Sequence, residues 1–216
     1  MKNFIGLIAV VSLTACGGGL SKQDGAKTLA SLNTSMTAAQ SAVFTAYSTS
    51  AARDSSATSF SGSCTKTGKF SATLATNSGT QTTTGGTQTT KDAGYTFALT
   101  FTDGCTFTDG SAFDGTVTWS FTYGGTSSTD GSGSGSASGV ITYGYIAPAL
   151  FTYTDAKGGK HTLITDATGI TVATEYDISV TGSTVGSVSV KTTVNGNATI
   201  DGSKLAYSNE SYTVNY

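Results

Sequence analysis

Residues 64–105 read CTKTGKFSATLATNSGTQTTTGGTQTTKDAGYTFALTFTDGC. On both arms apolar residues alternate with Ser and Thr: Phe70, Ala72 and Leu74 first, then Tyr95, Phe97 and Leu99. A period of two is the signature of a strand with one buried face. Between the arms, Thr84-Gly85 and the following Gly86 supply a turn. Pairing positions whose numbers sum to 169 sets Phe70 opposite Leu99, Ala72 opposite Phe97, Leu74 opposite Tyr95 and Cys64 opposite Cys105. The stretch therefore predicts one long antiparallel hairpin with a Cys64–Cys105 disulfide closing its base. Turn residues in NSG (Asn77) and DAG (Asp92) predict bulges or a break within it. The Thr-rich outer half has little to bury on either side and is expected to be mobile.

The same alternation continues downstream. GTVTWSFTY places Val117, Trp119, Phe121 and Tyr123 on one face. GITVATEYDISVTG places Ile170, Val172, Tyr176, Ile178 and Val180 on one face with Thr174 among them, and Thr171, Ala173, Glu175, Asp177 and Ser179 on the other. Between these segments, GGTSSTDGSGSGSASG reads as a flexible loop. Pro148 between GVITYGYIA and ALFTYTD predicts an edge or a bend, and DAKGGK predicts a turn. Asn195-Gly196 is a hairpin signal, and KLAYS and SYTVNY read as a last hairpin. In all, about ten antiparallel strands are expected, in a curved sheet, sandwich or barrel. No internal repeat of fixed period is clear.

Upstream the period changes. Leu29, Leu32, Met36, Ala39, Val43 and Ala46 recur at spacings of three and four, which predicts a helix over residues 26–48 with one apolar stripe. Ser21 and Asp24 have the spacing of a capping box ahead of it. A membrane-surface helix would carry Lys and Arg on its polar face. This one carries Thr, Ser and Gln, so it is expected to cover the apolar face of the sheet.

Composition narrows the function. Ser and Thr make up about a third of the chain, charged residues 11%, and the net charge is −2. Without a basic patch, nucleic acid is not an expected partner. His161 is the single histidine, and no G-x-S-x-G elbow accompanies it, so it reads as structural or surface. Cys64, Cys105 and His161 match no zinc spacing. Glu175 and Asp177 share a strand face and could act as paired carboxylates in glycoside chemistry, but charged pairs on a solvated sheet face are far commoner. Asp103, Asp109, Asp114, Asp130 and Asp201 each precede Gly; they could supply calcium ligands, yet Asp-Gly is first a turn dipeptide and the spacing is not an EF-hand loop. Glycine strings such as GSGSGSASG lack the Lys and Ser/Thr of a phosphate loop. No catalytic residue, metal or cofactor is expected.

Met1-Lys2, the apolar run through Leu13 and the residues LTAC ending at Cys16 resemble the lipobox signal of bacterial lipoproteins. An ordinary secretory signal with an incidental cysteine is the alternative. The resemblance implies cleavage before Cys16, lipid on its thiol and acylation of the new amino terminus. Several acyl chains make such an anchor stable, since each buried CH₂ contributes about 0.8 kcal/mol. Gly17 rather than Asp after the cysteine implies the outer membrane, at its periplasmic or surface face. The expected division is a signal peptide over 1–15, a lipidated tether over 16–25 and one β-rich domain over 26–216. The expected function is a lipid-anchored, non-catalytic binding or structural module whose partner is an envelope protein or an apolar ligand such as an acyl chain. A small outer-membrane barrel is the alternative, to which the alternating aromatic ending SYTVNY lends a resemblance, and an envelope hydrolase comes third.

Overall fold

The computed structural model describes residues 19–53, 58–129, 134–181 and 184–212. Cys16, Asp130, Val214 and Tyr216 lie outside them, so the expected anchor, one of the Asp-Gly pairs and the end of SYTVNY are not described. The protein is mainly β, with one N-terminal helix and antiparallel strands throughout. Nine strands are described, β1 (Ser59–Ser63), β2 (Thr67–Thr84), β3 (Thr87–Thr106), β4 (Ala112–Thr129), β5 (Gly135–Ile146), β6 (Phe151–Thr154), β7 (Lys160–Thr181), β8 (Thr184–Ile200) and β9 (Ser203–Tyr212), after helix α1 (Lys22–Arg53).

The sheet is a meander in chain order from β1 to β9, with one irregularity. Strands β5 and β6 share the space between β4 and β7, closing a ring of pairings among the four. They act as one strand broken at Pro148. The bend expected there is present, and it falls inside the sheet rather than at an edge. The β1–β2, β3–β4, β6–β7 and β8–β9 turns gather at one end, the base. The Gly85-Gly86 turn and the far ends of β4, β5, β7 and β8 form the opposite end, the tip.

One face of the sheet holds Phe97, Leu99, Val117, Trp119, Tyr145, Phe151, Val172 and Val194, all buried. The opposite face carries Thr and Ser paired across strands, as in Thr100–Thr116, Thr126–Ser138 and Ser128–Ser136, each 3.1 Å apart. Such cross-strand pairs contribute roughly 0.2–1 kcal/mol each. The buried face curves around α1, whose Leu29, Leu32, Met36, Ala39 and Val43 complete the core. Helix α1 starts at Lys22, ahead of the expected Ala26, because Ser21 caps it. The Asp24 amide donates to Ser21 Oγ at 3.1 Å, and Ser21 Oγ donates back to Asp24 Oδ2 at 2.6 Å. On its polar side Thr34, Thr37, Thr45 and Thr49 donate to carbonyls four residues back, which lets threonine sit in a helix. The helix reaches both sheet edges. Gly25 lies against Leu205 and Tyr207 of β9, and Ala46 lies against Gly62 of β1; a Cβ at either glycine would collide with a side chain.

Four sequence expectations are corrected. The 64–105 hairpin forms, but Phe70 faces Phe101, Ala72 faces Leu99 and Leu74 faces Phe97. A shift of two residues keeps every side chain on its expected face, because the side-chain period is two. A separate slip falls at Gly68 (φ +82), where the ladder passes from Thr67 opposite Thr106 to Lys69 opposite Thr102. Cys64 sits outside the ladder, in the turn after β1, with Cα 5.5 Å from that of Cys105. The expected irregularity near Asn77 and Asp92 is present as register shifts between Leu74 and Thr76 and between Ser78 and Thr80. Second, the expected loop over 124–139 is strand at both ends: β4 and β5 continue into it and pair to Thr129 and Gly135, and residues 130–133 lie outside the described residues. Third, Asn195-Gly196 is no hairpin; β8 runs through it, and the hairpin turn is Asp201-Gly202 (φ +49 and +80). Fourth, the last hairpin is absent from the described residues, since β9 continues unbroken from Ser203 to Tyr212.

A belt of irregular positions crosses the sheet and explains its curvature. It runs from Gly68 to the left-handed Asp103-Gly104, then to Gly115 (φ +98) beside Leu150 and the Pro148 break. It continues through Gly169 (φ +75) to Gly196 (φ +117) and the left-handed Asn209. A Cβ on Gly115 would lie 2.9 Å from the Leu150 carbonyl oxygen, and one on Gly196 would lie 2.4 Å from that of Gly169. Bulges increase local twist and bend the strand that carries them. Aligned across neighbouring strands, they coil the sheet around the helix.

Candidate functional site at the base of the sheet

The base brings together two features far apart in sequence, the entry of the chain and its histidine. The Leu20 amide donates to Ser203 Oγ at 2.7 Å, just past the β8–β9 turn. The Tyr207 hydroxyl donates to the Lys22 carbonyl at 3.0 Å, and Lys22 pairs with Glu210. The first described residues are thus docked on β9 before the helix begins.

Next to this entry, His161, the second residue of β7, lies between two aspartates. Its Nδ1 lies 2.9 Å from Asp201 Oδ2, and its Nε2 lies 3.8 Å from Asp155 Oδ2. Each aspartate is held by backbone through its other oxygen. Asp201 Oδ1 accepts from the Thr162 amide at 2.7 Å, and Asp155 Oδ1 accepts from Lys157 and Gly159 amides at 2.9 and 2.8 Å. The imidazole also lies 5.0 Å from the Tyr153 ring. Burial pushes the Tyr153 hydroxyl well above its ordinary pKa, and the group donates to the Thr28 carbonyl at 2.6 Å. A shallow recess of about 400 Å³ opens beside these residues, lined also by Asp114, Lys160 and Phe113. With one ring nitrogen on Asp201 and the other facing Asp155, both edges of the imidazole meet carboxylates. This arrangement locks turns together; it does not aim a base at a hydroxyl nucleophile.

The other candidates separate. Glu175 and Asp177 lie on the Thr-rich face, with Glu175 Oε2 3.7 Å from Lys191 Nζ, an exposed ion pair. Asp103 occupies a left-handed bulge and Asp201 a turn. Asp109 Oδ1 accepts from the Ser111 amide and hydroxyl at 3.0 and 2.6 Å. Asp166, which the sequence reading passed over, caps the 166–169 bulge by accepting from the Thr168 and Gly169 amides at 2.9 and 3.1 Å. Its neighbours Thr168 and Gly169 were the available signal. Among the described residues no group of three His, Cys, Asp or Glu side chains is placed to hold a metal ion.

Two surfaces could take a ligand. A groove of about 490 Å³ runs between α1 and β1, lined by Ala38, Ala42, Ala46, Gly62 and Phe107. Beyond the helix, the apolar face of the sheet continues as a tyrosine strip. The Tyr176 hydroxyl donates to Tyr123 at 3.1 Å, the Phe121 and Tyr143 rings are 5.5 Å apart, and Tyr176 covers the opposing Gly139. The space under the helix is filled by Trp119, Tyr145, Phe97 and Met36. Among the described residues no helix is long and apolar enough to cross a membrane. Comparison of the chain with protein-family models, curated proteins and solved structures gives no match.

Proposed function

We propose that this protein is a lipid-anchored lipoprotein of the bacterial outer membrane, carrying its lipid on Cys16 and serving as a non-catalytic binding or structural module. The observation that carries the reading is the LTAC lipobox at residues 13–16, directly ahead of a chain entry docked on the domain. The inward direction of the apolar faces supports this reading over a small membrane barrel, whose apolar band would face lipid. The His161 arrangement, with carboxylates at both ring nitrogens, supports a structural role for that residue and a domain that works by contact. Its partner is an envelope protein or an apolar ligand, met through the tyrosine strip or the α1–β1 groove.

Metabolic labelling with a fatty acid tests the anchor. Wild-type protein should take up label and sediment with membranes, and Cys16→Ser should lose both. Label retained in the Cys16→Ser variant overturns the proposal. A chain starting near Ser21 should fold without detergent; detergent-dependent β-type circular dichroism would favour the barrel instead.

A further inference from the structure

Resting on the anchor reading, we infer that the base of the sheet lies against the membrane surface and that the hairpin tips point away from it. The inference comes from chain length. A tether over 16–25 would let the domain move freely above the lipid. Instead, Leu20 is bonded to Ser203 and Gly19 lies beside the same side chain, so the chain is already docked on the domain at residues 19 and 20. From Cys16 to Gly19 there are three Cα–Cα steps of about 3.8 Å, at most about 11 Å when fully extended. A lipid on Cys16 therefore brings Ser203, and with it the turns around Ala156 and Gly202, to the headgroups. Strand β8, with 17 residues, runs from tip to base and extends roughly 55 Å at about 3.3 Å per residue, and this length carries the tip out of reach of the surface.

Charge does not set this orientation. The base mixes Lys66, Lys157, Lys160 and Lys204 with Asp103, Asp109, Asp155 and Asp201, so it offers no one-signed field to anionic lipid. The short link does the positioning, and the contact should be insensitive to salt.

The test uses the full mature lipoprotein in vesicles of phosphatidylethanolamine and phosphatidylglycerol doped with a nickel-chelating lipid. Spin labels are placed singly at the base (Ala156→Cys, Lys204→Cys) and at the tip (Thr83→Cys, Gln88→Cys), all exposed positions. Mass spectrometry first establishes the lipid on Cys16. Relaxation by the headgroup-bound nickel should be several-fold stronger at the base than at the tip, unchanged by added salt, and weakened by a Gly/Ser insertion between Gly18 and Gly19. Equal relaxation at base and tip in lipid-bearing protein overturns the orientation alone, as does an insertion without effect. Absence of lipid from Cys16 overturns the anchor reading and the orientation with it.

Discussion

The hydroxyl of Tyr145 donates to Asn33 Oδ1 at 2.6 Å, and both residues are buried. This bond pins the middle of α1 to the middle of the sheet. It sits in a largely apolar core, beside two buried donors, Asn33 Nδ2 and Trp119 Nε1, that have no hydrogen-bond partner among the described residues. Leaving one half of a buried pair unsatisfied costs about 1–3 kcal/mol, whereas replacing both halves by apolar groups can be nearly neutral. Tyr145→Phe should destabilise by about that amount, and Asn33→Leu, which also removes the unpaired Nδ2, by less. The double variant should lose clearly less than the sum of the two. Urea unfolding of the four proteins measures this, and strict additivity would show that the bond does not couple helix to sheet.

The disulfide joins the β1–β2 turn to the end of β3 across a sequence separation of 41. Closing such a loop is worth roughly 4 kcal/mol in the chain-entropy model. Replacing both cysteines by alanine should lower stability by a few kcal/mol and leave the circular dichroism unchanged. Hydrogen exchange should find the Thr80–Thr84 and Thr87–Thr90 ribbon fast, as most of its side chains are exposed and bury little, and the base near Cys105 slow. Uniform protection along the hairpin would contradict this.

Two glycines with positive φ should differ in their tolerance of a side chain. Gly85 (φ +58) has open space where a Cβ would go, and asparagine tolerates the left-handed region. Gly85→Asn should change the melting temperature little. Gly196 (φ +117) would place a Cβ 2.4 Å from a backbone oxygen of the neighbouring strand. Gly196→Ala should destabilise by about 1–3 kcal/mol. Similar melting temperatures for the two variants would remove the bulge belt as a source of curvature.

Acid and alkali should both weaken the fold, through different groups. Hydrogen bonds from Ser21, Thr168 and Lys22 hold the carboxyls of Asp24, Asp166 and Glu210, respectively, below their ordinary pKa. A carboxyl depressed in the folded state stabilises fully above its unfolded pKa, and that contribution is lost as pH falls through the folded one. Melting temperature should therefore drop below about pH 4. Burial pushes the hydroxyls of Tyr176 and Tyr212 up to about 12. Their contribution is full below the unfolded pKa near 10 and is lost as pH rises through the folded values. Thermal melts across pH check both limits, and a flat profile at either end would contradict the assignment there.

What the sequence by itself determined is local. The period of two assigned inner and outer faces in β2, β3, β4 and β7. The three-four spacing marked α1, and Ser21 with Asp24 marked its start. The cysteine pairing followed from the hairpin. These features depend on residues close in the chain or on a pattern that survives a shift of two. Tertiary structure alone decided the rest. Asn195-Gly196, Asp201-Gly202 and Asp103-Gly104 each put their glycine at positive φ, and a bulge and a hairpin turn both use such a glycine, so the dipeptides cannot tell one from the other. Which it is depends on whether neighbouring strands continue to pair beyond it, as β7 does past Gly196 and no strand does past Gly202. The same holds at the base. Nothing near His161 in the chain announces Asp201, 40 positions away, and nothing near Leu20 announces Ser203. Those contacts exist because the sheet curls, and the sheet curls because its bulges line up across strands.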